Sequence, residues 1–377
     1  MLAFLRLRND AGRSIQGNGM HSWVDGSTIG RIDRATLRHG GMSSNLGELE
    51  QLAALFQPPY LRDLYQALAP RSRSEAQRRS LNIKLGWIDK MPLAAIGGAR
   101  PRVELGDLAI FSIDQLVAPD GKPIGSPHAR AVLAQAKVVR NLGRMRAPVV
   151  PGVREVGPTK RELALLAGWP QFDLYEWSGS HAPLVPGIDL RGATTGLLPY
   201  GWYIAAPCDP HKRLGNPPFP WTSWWMAAPP VRSHPLDITF GRFLTEFLRE
   251  KPITTNAGPL SVGAQFACPS YPPPRIGSGW DRLCAELLAL VEANPAPQHI
   301  FGQSKTRLTS LTPILSNFLP GGGEMHFHAR YAWPKKPFWR PPIFDWNGYE
   351  WSRRRDDIEP QTGDGMPVLI IHNTLVE

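Results

Sequence analysis

Asp107, Gln135 and Lys137 are the side chains in this 377-residue sequence whose types and spacing could do chemistry together. One is an acceptor-only carboxylate, one offers an amide carbonyl and one carries an ammonium. The two oxygens are ligands of the kind Mg²⁺ takes, and Mg²⁺ also keeps waters and shares substrate phosphate oxygens. A lysine two positions beyond the glutamine could hold, or help deprotonate, a water that the metal has acidified. The chemistry implied is hydrolysis of a phosphate ester with Mg²⁺ (or Mn²⁺). The plainer alternative is a partly buried Asp–Lys ion pair in an ordinary sheet.

Two strands must position these groups. The stretch PRVELGDLAIFSIDQL alternates apolar residues, APDGKPIGSP is turn chemistry, and ARAVLAQAKVV alternates again, so Val103 to Val139 reads as two neighbouring strands joined by a hairpin-like loop. With a side-chain period of two, Val103, Leu105, Asp107 and Ala109 share one face of the first strand. Gln135 and Lys137 project together from the second, while Val132, Ala134, Ala136 and Val138 take its other face.

Asp, then a gap, then Gln-x-Lys on the next strand resembles the PD-(D/E)xK nuclease superfamily in its Gln-x-Lys variant, of the Mrr-like restriction endonuclease type. The residues carrying the resemblance are Glu104-Leu105-Gly106-Asp107 and Gln135-Ala136-Lys137. It covers about 140 residues, from Gly41 to Trp177. It implies an α/β (α+β) fold with a restriction-endonuclease-like αβββαβ core, and metal-dependent cleavage of DNA by the effector subunit of a prokaryotic antiphage defence system. The other reading it allows is a catalytically inactive nuclease-fold subunit that binds nucleic acid or assembles a larger complex. The departure from the commonest pattern is Gln in place of Asp or Glu two before the lysine, which lowers the negative charge of the site.

The flanking elements follow the same order. A helix is expected from Ser44 or Asn45, with Leu46, Leu49, Leu52 or Ala53, and Phe56 on its apolar side and Pro58-Pro59 at its end. In the resembled family the helix before the sheet contributes a carboxylate to the metal, which makes Glu48 the candidate third ligand and Glu50 the reserve. With Asn45 as N-cap, Glu48 equally completes a capping box. A basic helical stretch follows from Leu61 to Arg79, then a strand, SLNIKLGWI, and a loop, PLAAIGGARP. Thr159-x-x-Glu162 reads as a capping box opening a short helix, and Gln171 to Trp177 as the fourth strand. By alternation Glu104 points away from Asp107, as a surface or structural residue that could pair with Arg102 or Arg130; a bulge at Gly106 would re-aim it.

The formal net charge of +10 favours a polyanionic partner, and nucleic acid is the commonest. Arginines cluster at Arg71, Arg73, Arg78 and Arg79, and again at Arg140, Arg144 and Arg146 directly after the Gln-x-Lys strand. No apolar run is long enough to span a bilayer. Cys208, Cys268 and Cys284 form neither a disulfide framework nor a zinc spacing, which favours a reducing, cytoplasmic setting.

The sequence divides into an extension (1–40, with SWVDGSTIGRI as a short strand), the nuclease-like core (41–180) and an accessory or partner-binding region (181–377). That last region holds 27 of the 39 prolines, so irregular structure is expected there, apt for contact with a partner subunit or a second copy. Amphipathic helices are expected over Asp237 to Glu250 and Gly279 to Ala293, and a strand over Met366 to His372. His326-x-His328 has metal-ligand spacing but no third ligand nearby in sequence. Gly321-Gly322-Gly323 lacks the Lys-Ser/Thr of a phosphate loop. Trp221, Trp224 and Trp225 read as packing rather than as base-stacking platforms.

Overall fold

A computed structural model describes residues 24–40, 51–52, 55, 58–69, 79–89, 92–98, 101–139, 157–176, 178–192, 196–207, 222–270, 273–277, 279–293, 299–300, 303–304, 312–316 and 365–376. The described chain is a mixed α/β structure with five helices and a mixed sheet of nine strands. Glu48 and Glu50, the histidines at 326 and 328, Gly321 to Gly323, Trp221 and Cys208 lie outside the described residues.

The main sheet includes β1 (Arg79–Asp89), β4 (Leu108–Val117), β5 (His128–Val139) and β8 (Gly201–Pro207), with β9 (Met226–Ala228) and β10 (Ile238–Thr239) beyond β8. Its order is β10-β9-β8-β5-β4-β17-β1-β16, where β16 is Thr312–Ser316 and β17 is Gly365–Val376, and β13 (Ala264–Phe266) pairs with β5 off this path. β4 and β5 are the expected hairpin, antiparallel from Leu108↔Ala134 to Asp114↔His128. β17 enters the middle, parallel to β4 and antiparallel to β1. Met366, Val368 and Ile370 pack into the core on one face, and Leu369 and Ile371 into the core on the other. A strand apolar on both sides belongs in a sheet centre. The main sheet therefore draws strands from both sides of residue 180.

Four short strands, β2 (Leu93–Ile96), β3 (Val103–Glu104), β6 (Phe172–Tyr175) and β7 (Val185–Ile188), form a second sheet in the order β3-β2-β6-β7, and β11 (Ile253–Thr255) with β12 (Gly258–Leu260) and β14 (His299–Ile300) with β15 (Gln303–Ser304) form two-stranded ribbons. Two expectations are corrected here. PLAAIGG is strand in part, and the Gln171 to Trp177 segment does not join the motif strands; β8 takes that place, parallel to β5 from Leu133↔Gly201 to Val139↔Pro207.

One face of the main sheet is covered by α1 (Gly26–Gly40), α2 (Pro58–Leu68) and α4 (Phe240–Arg249), through Ile32, Leu61, Leu64, Phe243 and Phe247. The other is covered by the small sheet, α3 (Gly157–Gly168) and α5 (Gly279–Ala293), through Leu166, Phe172, Leu283 and Leu287. The segment expected as a strand in the first 40 residues is α1. Asp25 explains it: its carboxylate accepts the N–H groups of Ser27 (2.9 Å) and Thr28 (3.2 Å), an N-cap that starts the helix. Pro58 and Pro59, expected to end a helix, open α2, where missing N–H donors do no harm.

α1 and α4 meet at Gly241. A Cβ there would lie 2.3 Å from the Ile29 carbonyl, and the Gly241 N–H donates to Asp33 at 2.7 Å. Burial pushes the Asp33 carboxyl up, against bonds from Thr239, Gly241 and Ser223 that lower it. Gly241→Ala is expected to separate the helices and lower stability by about 1–3 kcal/mol, the usual scale of overpacking. A urea midpoint equal to that of the unsubstituted chain would refute the close approach.

Candidate active site

Asp107 stands just before β4, where the chain crosses from the small sheet to the large one through Leu105-Gly106-Asp107. The crossing is tight. A Cβ on Gly106 would sit 3.2 Å from the Ala134 carbonyl, and the Asp107 N–H donates to that same carbonyl at 2.9 Å. A larger residue at 106 would push Asp107 away from β5.

Asp107 and Gln135 meet, and Lys137 follows Gln135 two positions along the same strand. Asp107 (4% exposed), Gln135 (0%) and Lys137 (8%) are all buried, and the even-numbered neighbours Val132, Ala134 and Ala136 pack into the core on the opposite face. One oxygen of Asp107 accepts the side-chain amide of Gln135 and, at 2.8 Å, the backbone N–H of Ala136. An ionised carboxylate accepts only, so Gln135 must turn its NH₂ to Asp107. Its carbonyl oxygen is then left buried with no hydrogen-bond partner among the described residues. An unmet buried acceptor destabilises by about 1–3 kcal/mol, and an aliphatic residue would avoid it. Stability alone does not account for Gln135.

Two further residues belong to the site and carry no functional reading in the sequence. Tyr203 is the partner of Gln135 on β8 and packs into the core on the same side of the sheet. Glu162, from α3, places a carboxylate oxygen 3.3 Å from the Lys137 ammonium, with the two side chains 12% and 9% exposed. Glu162 thus faces the motif strand rather than closing a capping box, and Thr159, expected as the cap, is buried inside the helix.

Glu104 is exposed, as expected of a surface residue. It ends β3 in the small sheet, so alternation cannot be carried from it to Asp107. Its carboxyl is pushed above the usual range by desolvation first, with the Lys137 charge pulling it down and the Glu162 charge pushing it up. The residue nevertheless exposes much of its surface, so water offsets part of that desolvation. It therefore interacts electrostatically with both members of the Lys137–Glu162 pair. The partners suggested for it are occupied elsewhere: Arg102 donates to the Ser178 and Ser180 carbonyls, and Arg130 pairs with Glu250.

The donor set can be tested against a divalent cation. The unpartnered Gln135 oxygen beside the Asp107 carboxylate is the kind of group such an ion would satisfy, so the residues fit in type. Among the described residues no three His, Cys, Asp or Glu side chains come close enough to enclose a metal. The remaining positions would fall to waters and substrate oxygens, as Mg²⁺ prefers. No family model, curated protein or solved structure matches the chain, and the interpretation of the site rests on its own geometry.

Proposed function

We propose that this chain is a metal-dependent nuclease that hydrolyses DNA phosphodiester bonds, with a core of the PD-(D/E)xK type in its Gln-x-Lys form. The observation that carries the reading is the buried contact of Asp107 with Gln135, whose amide oxygen is left unpartnered, on the face that Lys137 shares. The order of the main-sheet elements is compatible with it: α2, β1, β4, β5, α3 and β8 follow one another as helix, strand, strand, strand, helix, strand once β2 and β3, inserted before β4, and β6 and β7, inserted before β8, are set aside, and β17 lies between β1 and β4 in the sheet.

Asp107 and Gln135 would hold the cation, which when bound supplies an acidified water and offsets phosphate charge. Lys137 donates N–H bonds to that water or to a non-bridging phosphate oxygen. Water's oxygen adds to phosphorus, the phosphorus–oxygen ester bond breaks, and one water proton is released as the leaving oxygen is protonated. Arg140, Arg144 and Arg146, within ten positions of Lys137 in sequence, supply positive charge of the kind that phosphate binding needs. The free, buried Cys268 and Cys284 suit a reducing, cytoplasmic setting, and no helix among the described residues is long and apolar enough to cross a membrane.

The test is plasmid DNA incubated with the purified full chain. Cleavage is expected with Mg²⁺ or Mn²⁺ and should stop when EDTA is added. Cleavage that survives EDTA, or none with any divalent ion, would defeat the nuclease reading.

One set of observations favours a second reading, a nuclease-fold subunit that binds nucleic acid or a partner without cutting. The Asp107 oxygen already accepts two donors, Lys137 is held by Glu162, and Gln135 is fully buried. DNA affinity unchanged by EDTA, with no product under any ion, is the outcome that selects it.

A further inference from the structure

At the far end of β4 and β5 from Asp107 and Gln135, Asp114 and His128 face each other in a polar cluster that takes no part in the nuclease reading. Its centre is Glu250, the residue that ends α4. The Glu250 carboxylate accepts from His128, pairs with the Arg130 guanidinium at 2.9 Å and accepts the Gln265 amide at 3.0 Å. Asp114, 3% exposed, faces the same two basic groups. Its register partner is His128, and burial draws the Arg130 guanidinium down while Glu250, and after it Asp114, hold it up. Behind Asp114, Asn373 of β17 donates to it and Arg79 of β1 donates to Asn373, with Tyr65 of α2 feeling the Arg79 charge. Two carboxyls therefore share His128 and Arg130, one deep in the sheet and one at a helix end.

What Glu250 holds is the β11–β12 ribbon, which pairs with itself alone among the described strands. Both of its feet end in the cluster. The foot before it is Glu250, whose backbone is left-handed (φ 56°, ψ 26°), a conformation that a residue with a Cβ keeps where its contacts hold it there. The foot after it is tied by Arg130, which donates to the Val262 carbonyl at 3.0 Å and the Gly263 carbonyl at 3.1 Å. Between the feet Ile253 is buried, and the remaining residues are exposed or half-buried.

We propose that this cluster is a pH-operated clasp on the β11–β12 ribbon: with Asp114 protonated, His128 and Arg130 both serve Glu250 and the ribbon is held, whereas ionised Asp114 shares them, repels Glu250 and lets the ribbon open. Burial pushes the Asp114 carboxyl up to about 6, against the Asn373 bond and the charges of His128 and Arg79, with Glu250 adding to the rise. The clasp is accordingly closed in acid and loosens as pH rises through that value, the Asp114 proton passing to solvent. Glu250 stays ionised throughout, because the His128 bond, Arg130 and Gln265 outweigh its desolvation and hold its carboxyl down to about 2.

The test follows amide hydrogen exchange in the full chain by mass spectrometry, in peptides covering residues 250–263, at about pH 5 and about pH 7.5, corrected for the intrinsic pH dependence of exchange. Protection there is expected to fall about tenfold at the higher pH and to respond weakly to about 1 M urea, because local opening exposes little surface. Asp114→Asn should keep the acid level of protection at both pH values. Glu250→Gln, which cuts the clasp, should be poorly protected at both. Equal protection of the unsubstituted chain at the two pH values overturns the proposal, and so does an equal fall in Asp114→Asn. A fall that steepens strongly with urea belongs to global unfolding and counts against the clasp in the same way. Should Asp114→Asn misfold by circular dichroism, Glu250→Gln decides: protection as high as that of the unsubstituted chain in acid defeats the idea, and low protection upholds it.

Discussion

Lys137→Ala is expected to reduce DNA cleavage by about 100-fold or more while the chain stays folded. Removing a positioned cation or hydrogen-bond donor from a charge-developing transition state lowers turnover by about 10²–10³. The loss should appear in kcat, because the ammonium acts on charge that grows as the phosphorus–oxygen bond breaks. The substitution has a second consequence. Glu162, 12% exposed, loses the cation 3.3 Å from it and becomes a poorly solvated charge. A stability loss of about 1–3 kcal/mol should follow.

The double variant Lys137→Ala/Glu162→Gln separates these effects. Its stability should return towards that of the unsubstituted chain, since the stranded charge is gone, while its cleavage remains at the level of the single variant. Nicking by Lys137→Ala at the unsubstituted rate would remove Lys137 from the chemistry. Recovery of cleavage in the double variant would show that the single variant fails through its fold.

How much of this is legible in the residues alone depends on the kind of signal each element carries. The β4–β5 hairpin is legible because one face of each strand alternates regularly and Pro119-Asp120-Gly121 marks the turn; Gly121 takes the left-handed conformation there, with φ of 81°. The three motif residues come with it. β8 escapes sequence reading because all seven of its residues are buried, so no polar alternation marks it, whereas the shorter β6 alternates and mimics the fourth strand. β17 is recognisable as a strand, but its place between β4 and β1 follows from the pairing of distant segments, which no local pattern encodes.

The site residues divide in the same way. Period two cannot relate Glu104 to Asp107, because between them, through Leu105-Gly106, the chain leaves one sheet for another; its surface position is read correctly all the same. Glu162 passes for part of a capping box because Thr-x-x-Glu is the same four-residue spacing whether the glutamate reaches back to its own helix or across to a neighbouring strand. Tyr203 carries no signal in sequence. It matters because β8 registers it against Gln135.

A second buried polar group lies on the opposite face, towards the other end of β4, and gives the largest expected effect of pH on stability. Arg79 donates to the side-chain carbonyl of Asn373 at 2.6 Å, and the Asn373 NH₂ donates to Asp114 at 3.0 Å, so β17 is tied to β1 on one side and β4 on the other. Asp114 is 3% exposed. Burial pushes its carboxyl up to about 6, and Glu250 adds to this, against the Asn373 bond and the charges of His128 and Arg79. Desolvation wins: the fold prefers this acid protonated.

The sign follows from that preference. A carboxyl whose pKa is raised on folding contributes stability that is complete below its unfolded value, near 3.8, and is lost as pH rises through about 6. A rise of that size corresponds to about 3 kcal/mol. Glu250 behaves oppositely. The bond from His128, the Arg130 charge and the bond from Gln265 outweigh its desolvation and hold its carboxyl down to about 2, so its contribution is present above its ordinary value, 4.5, and is lost as pH falls through 2. The two windows scarcely overlap. Asp114→Asn keeps an acceptor for Asn373 and removes the buried charge, so it is expected to be more stable than the unsubstituted chain at pH 7, by up to about 3 kcal/mol, and to lose the slope between about pH 4 and 6. Urea unfolding across that range would show it. A steeper slope in the variant, or lower stability at pH 7, would mean that ionised Asp114 supports the fold through Arg79 more than its burial opposes it.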